Sequence, residues 1–207
     1  MIQVANTSNK WEEWLRKNLN NNPIVFLSGG TDSTLALYLT CYYISKNNLD
    51  CTIQPCFIYD RAGSVDSLFL PRAKLILNYV KDIFNDVNIK DLYVYYHSKK
   101  HGELKDRYYS EAAHILNSTC EIYGGISKPD HFPFPPGEER CSKEYKGNSL
   151  LGYYDKRDEY KFYLEFNLQE IFPFTLSCTT ANYPPCKKCW PCKEKKWGFG
   201  VFDGDNI

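Results

Sequence analysis

The run Ile24-Val25-Phe26-Leu27 passes without a break into Ser28-Gly29-Gly30-Thr31-Asp32-Ser33, and from Ser33 to about Ser45 the chain is apolar almost all round. A short, continuous apolar run reads as a strand buried on both faces, which is the habit of parallel sheets. An all-round apolar segment after it reads as a helix packed between that sheet and a neighbour. Any fold for this chain must therefore contain a strand, a glycine turn and a buried helix in direct succession.

The same rhythm continues downstream. Residues 8–20 carry Trp11, Trp14, Leu15 and Leu19 at helical spacing, and Asn20-Asn21-Asn22-Pro23 ends that helix. Thr52–Tyr59 reads as a strand in which Pro55 implies a late start or a bulge. Phe69, Ala73, Ile76, Leu77, Val80, Ile83 and Phe84 share one helical face, with Pro71 expected near the helix start, where its missing N–H does no harm. Leu92–Tyr96 is a third strand, Leu104–Leu116 a third helix, and Cys120–Tyr123 a fourth strand ended by Gly124-Gly125. Strands alternating with helices imply an α/β fold with a mainly parallel sheet covered on both faces. Beyond Gly125 the rhythm breaks. Residues 127–148 are rich in Pro, Gly and charge and read as a long loop, residues 149–172 fit helix or strand equally, and residues 173–199 form a cysteine-rich tail too short for a core of its own.

The 207 residues suit one domain over 1–207, able to bury about 70% of its unfolded surface. Lys plus Arg number 25 and Asp plus Glu 25, a balance that argues against a chain whose main task is coating nucleic acid or an anionic membrane. Apolar runs fall far short of the ~20 residues a transmembrane helix needs. The segment MIQVANTSNKWEEW has neither a basic nor an apolar leader region, so a cytoplasmic protein is expected.

The glycine turn carries chemistry. Gly29 and Gly30 let the backbone approach a ligand and adopt positive φ. The following helix offers unpaired N–H groups and the positive end of its dipole. Ser28, Ser33 and Thr34 add hydroxyls, and Asp32 is placed to orient the loop or help hold Mg²⁺. The target is an anion such as pyrophosphate, and the pattern is not the Walker loop, which is longer and ends in Gly-Lys-Ser/Thr.

Five of the nine cysteines are scattered: Cys41, Cys51, Cys56 and Cys120, read as small core residues, and Cys141 in the long loop. The other four, Cys178, Cys186, Cys189 and Cys192, fall within fifteen residues with two Cys-x-x-Cys steps. An odd total without a secretory leader argues against disulfides and for a metal. A structural Zn²⁺ site takes four such thiolates in a tetrahedron, and an iron–sulfur cluster is the rival occupant. Lys187, Lys188 and Pro191 between the cysteines suit an exposed turn better than a core.

With SGGTDS behind its first strand, the chain resembles the PP-loop ATP pyrophosphatases, of the adenine nucleotide alpha hydrolase-like superfamily. Thr175-Leu176-Ser177-Cys178, Pro185-Cys186-Lys187-Lys188-Cys189-Trp190-Pro191-Cys192 and Phe199 are similar to the tail of the 7-cyano-7-deazaguanine synthase family. Gly125, Asp130 and Phe134-Pro135 resemble that family's middle motif. Leu176 and Thr179 replace a family Trp and Tyr, Lys195 stands where an Arg is usual, and Arg140 comes two residues late. The resemblance implies a Rossmann-like, HUP-type three-layer fold with ATP and Mg²⁺ as substrate at the carboxyl ends of the strands. It implies ATP contacts at Leu27, Ser28, Gly29, Gly30, Thr31, Asp32, Ser33, Thr34 and Tyr59, with Asp60 beside them, and catalytic placement of Ser28, Asp32 and Ser33. Lys128, Asp130 and Arg140 would meet the second substrate, and Cys178, Cys186, Cys189 and Cys192 would hold a structural Zn²⁺. The implied reaction adenylates a deazaguanine carboxylate and uses ammonia to make an amide and then a nitrile. Nucleic acid is not an expected partner, and a homodimer is compatible with the resemblance. A tRNA sulfurtransferase with an iron–sulfur cluster and a non-catalytic nucleotide-binding relative are the alternatives.

Overall fold

In a computed structural model of the chain, residues 10–60, 66–97, 105–124, 149–180, 184–205 and 207 are described. The element order is α1 (Lys10–Asn18), β1 (Ile24–Phe26), α2 (Thr31–Lys46), β2 (Thr52–Asp60), α3 (Asp66–Ile83), β3 (Asn88–Ile89), β4 (Tyr93–His97), α4 (Lys105–Ile115), β5 (Glu121–Ile122), α5 (Lys156–Glu165), a 3₁₀ turn at Phe172–Phe174, and α6 (Trp190–Phe199).

Every strand pairing is parallel. β2 pairs β1 on one side and both β3 and β4 on the other, while β5 pairs the free side of β1. The chain thus builds outward from β1 in one direction, then returns through α4 to add β5 on the opposite side. The strand order reverses between β1 and β5, and ligands of open α/β sheets bind at the carboxyl ends of strands flanking such a reversal.

Side chains of β1 alternate between two apolar layers. Val25 and Leu27 pack with Leu35, Leu39, Ala73, Ile76 and Leu77 of α2 and α3. Ile24 and Phe26 pack with Cys56 and with Ala112 and Ala113 of α4. A strand buried on both faces explains the unbroken apolar run. α2 buries residues all round, from Leu35 to Cys41 and again at Ile44. Each such Leu or Ile stabilises the fold by roughly 1.5–3 kcal/mol.

Two sequence expectations change. β2 neither starts late nor bulges at Pro55, which holds register opposite Val25. Gln54 N–H donates to Pro23 O and Cys56 O accepts from Leu27 N–H, so Pro55 turns its nitrogen away from β1. On that side the ladder is interrupted between Ile89 and Tyr93, so the missing N–H falls where no strand demands it. The Gln54 side-chain amide bridges the gap, donating to Pro55 O at 3.0 Å and Asp91 O at 2.9 Å. Pro71 likewise sits in the second turn of α3, since the helix begins at Asp66.

The ambiguous stretch resolves into α5 and the 3₁₀ turn. Asp155 caps α5 by accepting from Arg157 N and Asp158 N, and the Asp158 side chain reaches back to Asp155 N. The cysteine-rich tail, too short for a core of its own, shares the main one. Phe199 of α6 joins the main core, with its ring 4.8 Å from Phe172 and 5.4 Å from Tyr163. No helix among the described residues is long and apolar enough to cross a membrane.

Candidate functional site

The turn between β1 and α2 lies at the β1/β5 reversal. Gly29 has φ +85° and Gly30, the N-cap of α2, has φ −84° and ψ 166°. Because Gly30 has no side chain, α2 has no side-chain cap. The first-turn amides therefore receive no side-chain cap from the N-cap position, as at helix ends that accept an anion.

The hydroxyls divide into two sets. Ser33 Oγ accepts from Ser28 N–H at 3.1 Å and donates to Gly30 O at 3.1 Å, and Thr34 Oγ1 donates to Gly30 O at 2.8 Å. Both residues are buried, so these hydroxyls hold the turn's shape and do not face outward. Ser28 is exposed, with its Oγ 3.0 Å from Ser33 Oγ and accepting from Gly30 N–H at 3.4 Å. Leu27 is buried, and its N–H donates to Cys56 O at 2.9 Å.

Asp32 does not stand alone. Its carboxylate pairs with the Lys156 ammonium and accepts from the Thr31 hydroxyl at 3.0 Å. Lys156 Nζ also donates to Thr31 Oγ1 at 2.9 Å and to Glu159 Oε2 at 3.0 Å, and Tyr163 Oη donates to Thr31 O at 3.0 Å. Glu159 is fully buried, with no hydrogen-bond partner for Oε1 among the described residues, and burial pushes its carboxyl up to about 7. Lys156, Glu159 and Tyr163 therefore brace the first turn of α2 from below, and the sequence reading found none of them. The signal was present: Asp155-x-x-Asp158 starts a helix, and 156, 159 and 163 then share its face.

The four clustered cysteines come together, with their Sγ atoms all within 4.8 Å of one another. A tetrahedron with ~2.3 Å metal–sulfur bonds has edges of ~3.8 Å, so small side-chain movements close the shell. Cys178 and Cys192 are buried, and Cys186 and Cys189 are partly exposed. Cys186 Sγ accepts from Lys188 N at 3.4 Å and Cys189 N at 3.3 Å, which lowers its thiol to about 6. Amide donors aimed at a sulfur stabilise a thiolate, so this donor set fits a thiophilic ion such as Zn²⁺.

The two features are joined. Leu176 N–H donates to Gly29 O at 2.9 Å. Two residues later, Cys178 enters the thiol cluster.

Other expected residues fall as follows. Tyr59 is half-buried near the end of β2, its ring 5.2 Å from Tyr96, and Asp60 ends that strand. Arg157 pairs with Asp155 and lies over the Trp197 ring. Lys195 is buried and donates to Asp203 Oδ1 at 2.6 Å. Cys41, Cys51, Cys56 and Cys120 are buried core residues. Lys128, Asp130, Arg140 and Cys141 lie outside the described residues.

No protein-family model matches the chain, and no curated protein matches it.

Proposed function

We propose that the chain binds ATP through residues 27–34 and uses it, with release of AMP and pyrophosphate, to activate a carboxylate for attack by ammonia. The uncapped amide end of α2 behind a positive-φ glycine, at the β1/β5 reversal, carries this reading. Joined to a four-cysteine segment, it supports a single Rossmann-like, HUP-type domain akin to the 7-cyano-7-deazaguanine synthases, with 7-carboxy-7-deazaguanine as the acid.

In the first step a carboxylate oxygen attacks the α-phosphorus and pyrophosphate leaves. The α2 amides and the Ser28 hydroxyl then meet the charge that develops on the leaving oxygens. Ammonia attacks the acyl carbon and AMP leaves, giving the amide. A second adenylation at the amide oxygen, followed by loss of AMP and a proton, gives the nitrile. Positioning suffices for this chemistry, and no side-chain nucleophile is assigned. Thr31 and Asp32, braced by Lys156, hold the turn in place, and Asp32 is the carboxylate nearest to hand for Mg²⁺. Tyr59 lines the adenine side, and Lys128, Asp130 and Arg140 are assigned to the acid. Cys178, Cys186, Cys189 and Cys192 would hold Zn²⁺, whose contribution is folding energy.

Incubation with ATP, Mg²⁺, ammonium and 7-carboxy-7-deazaguanine tests the reading. AMP, pyrophosphate and an amide or nitrile product are expected. ATP binding with no AMP formed from any deazaguanine acid would favour a non-catalytic relative. Iron with visible absorbance would favour a sulfurtransferase, although thiols this closely gathered suit a single ion better than a multi-iron cage.

A further inference from the structure

Asp203 lies beyond α6 and belongs to none of the motifs above, yet it is one of the most heavily engaged side chains near the site. Its buried carboxylate accepts from Ser177 N–H at 2.9 Å, from Cys178 N–H at 2.8 Å and from Lys195 Nζ at 2.6 Å. Lys195 in turn donates to Thr175 Oγ1 at 2.9 Å and sits 4.2 Å from the centre of the Phe172 ring. One carboxylate thus fixes the backbone at 177 and 178 directly, and Thr175 through Lys195. The residue enclosed by these anchors is Leu176.

Leu176 reaches both glycines of the turn. Its N–H donates to Gly29 O, and its carbonyl oxygen would lie 3.5 Å from a Cβ on Gly30. Cys178, whose amide Asp203 holds, belongs to the thiol cluster. The path from thiol cluster to α2 therefore runs along the backbone from Cys178 through Ser177 to Leu176 and across one hydrogen bond to Gly29, and Asp203 clamps the first two amides of that path.

We infer that Asp203 is a positioning residue that couples the four-thiol centre to the nucleotide turn, so that metal occupancy and ATP affinity depend on each other. The inference rests on the ATP-binding reading above. Coupling between two sites is reciprocal. A filled thiol centre fixes Cys178 and so holds Leu176 against Gly29, and bound ATP, by holding the turn, slows loss of the metal. Groups that orient ligand-bearing backbone typically change metal affinity by about 10–100-fold when removed.

The test uses the full chain loaded with Zn²⁺, and compares wild type, Asp203→Asn and the double variant Asp203→Asn/Lys195→Gln, which removes the buried charge left unpaired by the single change. Folding is checked by far-UV circular dichroism. ATP affinity is measured by calorimetry, and Zn²⁺ release to a chromogenic chelator is timed with and without ATP. For wild type, ATP should slow Zn²⁺ release and stripping Zn²⁺ should weaken ATP binding, both by about 10-fold. In the folded variant, or in the double variant if the single does not fold, ATP should bind more weakly and no longer slow metal release. A residue that only stabilised the fold would speed release without abolishing the effect of ATP. Folded variants that keep wild-type ATP affinity and the wild-type effect of ATP on release overturn the inference. If loaded wild type fails to bind ATP, the nucleotide reading falls and takes the coupling with it, whereas ATP binding that is indifferent to Zn²⁺ removes the coupling alone.

Discussion

Gly124, two residues beyond β5, lies directly against the backbone of Asp32: a Cβ at position 124 would stand 2.5 Å from the Asp32 carbonyl carbon and oxygen and from Ser33 N. Those neighbours are backbone, so they cannot swing aside. The absence of a side chain at 124 is what lets the β5 end close against the first turn of α2. Gly124→Ala should therefore push the two apart, lowering stability by roughly 1–3 kcal/mol, the usual cost of overpacking, and weakening ATP binding. Urea unfolding and calorimetry read both effects. An unchanged urea midpoint would show that the approach is looser than described.

The two glycines of the turn should respond differently to alanine. Gly29, at φ +85°, would carry a left-handed alanine at about 1–2 kcal/mol, and the new Cβ would crowd Phe69 O at 3.1 Å and Ala73 N at 3.3 Å. Gly30 has ordinary extended geometry and its Cβ would meet Leu176 O only at 3.5 Å. Gly30→Ala should thus change stability by no more than about 0.5 kcal/mol. Paired thermal denaturation curves check the contrast, and equal losses in the two variants would contradict it.

The sequence made much of the sheet legible because β1 wrote an unbroken apolar run and α1 and α3 a 3.6-residue period, whereas α5 lay in a stretch that fitted helix or strand equally and α6 in a tail read for its cysteines. It also placed the turn and the four cysteines, whose chemistry is confined to short segments. What it concealed was long-range pairing. Lys156 meets Thr31, 125 residues away, and Lys195 meets Thr175 and Asp203 only once α6 has docked. A lysine reads as a surface residue by default, because burial of its charge is favourable only with partners that a linear pattern does not reveal. β3 was missed because two residues give no period to detect.

Glu159 should leave a mark on stability against pH. Its carboxyl is raised from the usual 4.5 to about 7, chiefly by burial. Between those values the unfolded chain has lost the proton while the folded chain retains it, so stability falls as pH rises. Above about 7 both states are ionised and the slope from this group ends. Glu159→Gln should abolish that decline, although the Lys156–Asp32 pair remains. Denaturant unfolding from pH 5 to 8 makes the comparison, and parallel curves for the two proteins would rule out a titrating Glu159.

Thiol chemistry separates the two classes of cysteine. Cys41, Cys51, Cys56 and Cys120 are buried, and desolvation raises each thiol, to about 11 for Cys51 and about 12 for Cys56. The thiolate is the reactive form, so these four should resist a disulfide reagent at neutral pH until the chain is unfolded. In the cluster, Cys186 and Cys189 are partly exposed and should be protected only while a metal is bound, whereas Cys178 and Cys192 are buried. Treating the Zn²⁺-loaded protein with a strong chelator should release one Zn²⁺ per chain and uncover fast-reacting thiols at Cys186 and Cys189, with Cys178 and Cys192 slower because the packing of Phe199 against Phe172 and Tyr163 still holds α6 in place. Peptide mapping of the labelled protein identifies the sites. Labelling at Cys41 or Cys56 alongside the cluster would mean that the ion supports the whole domain and not only the segment around Cys178.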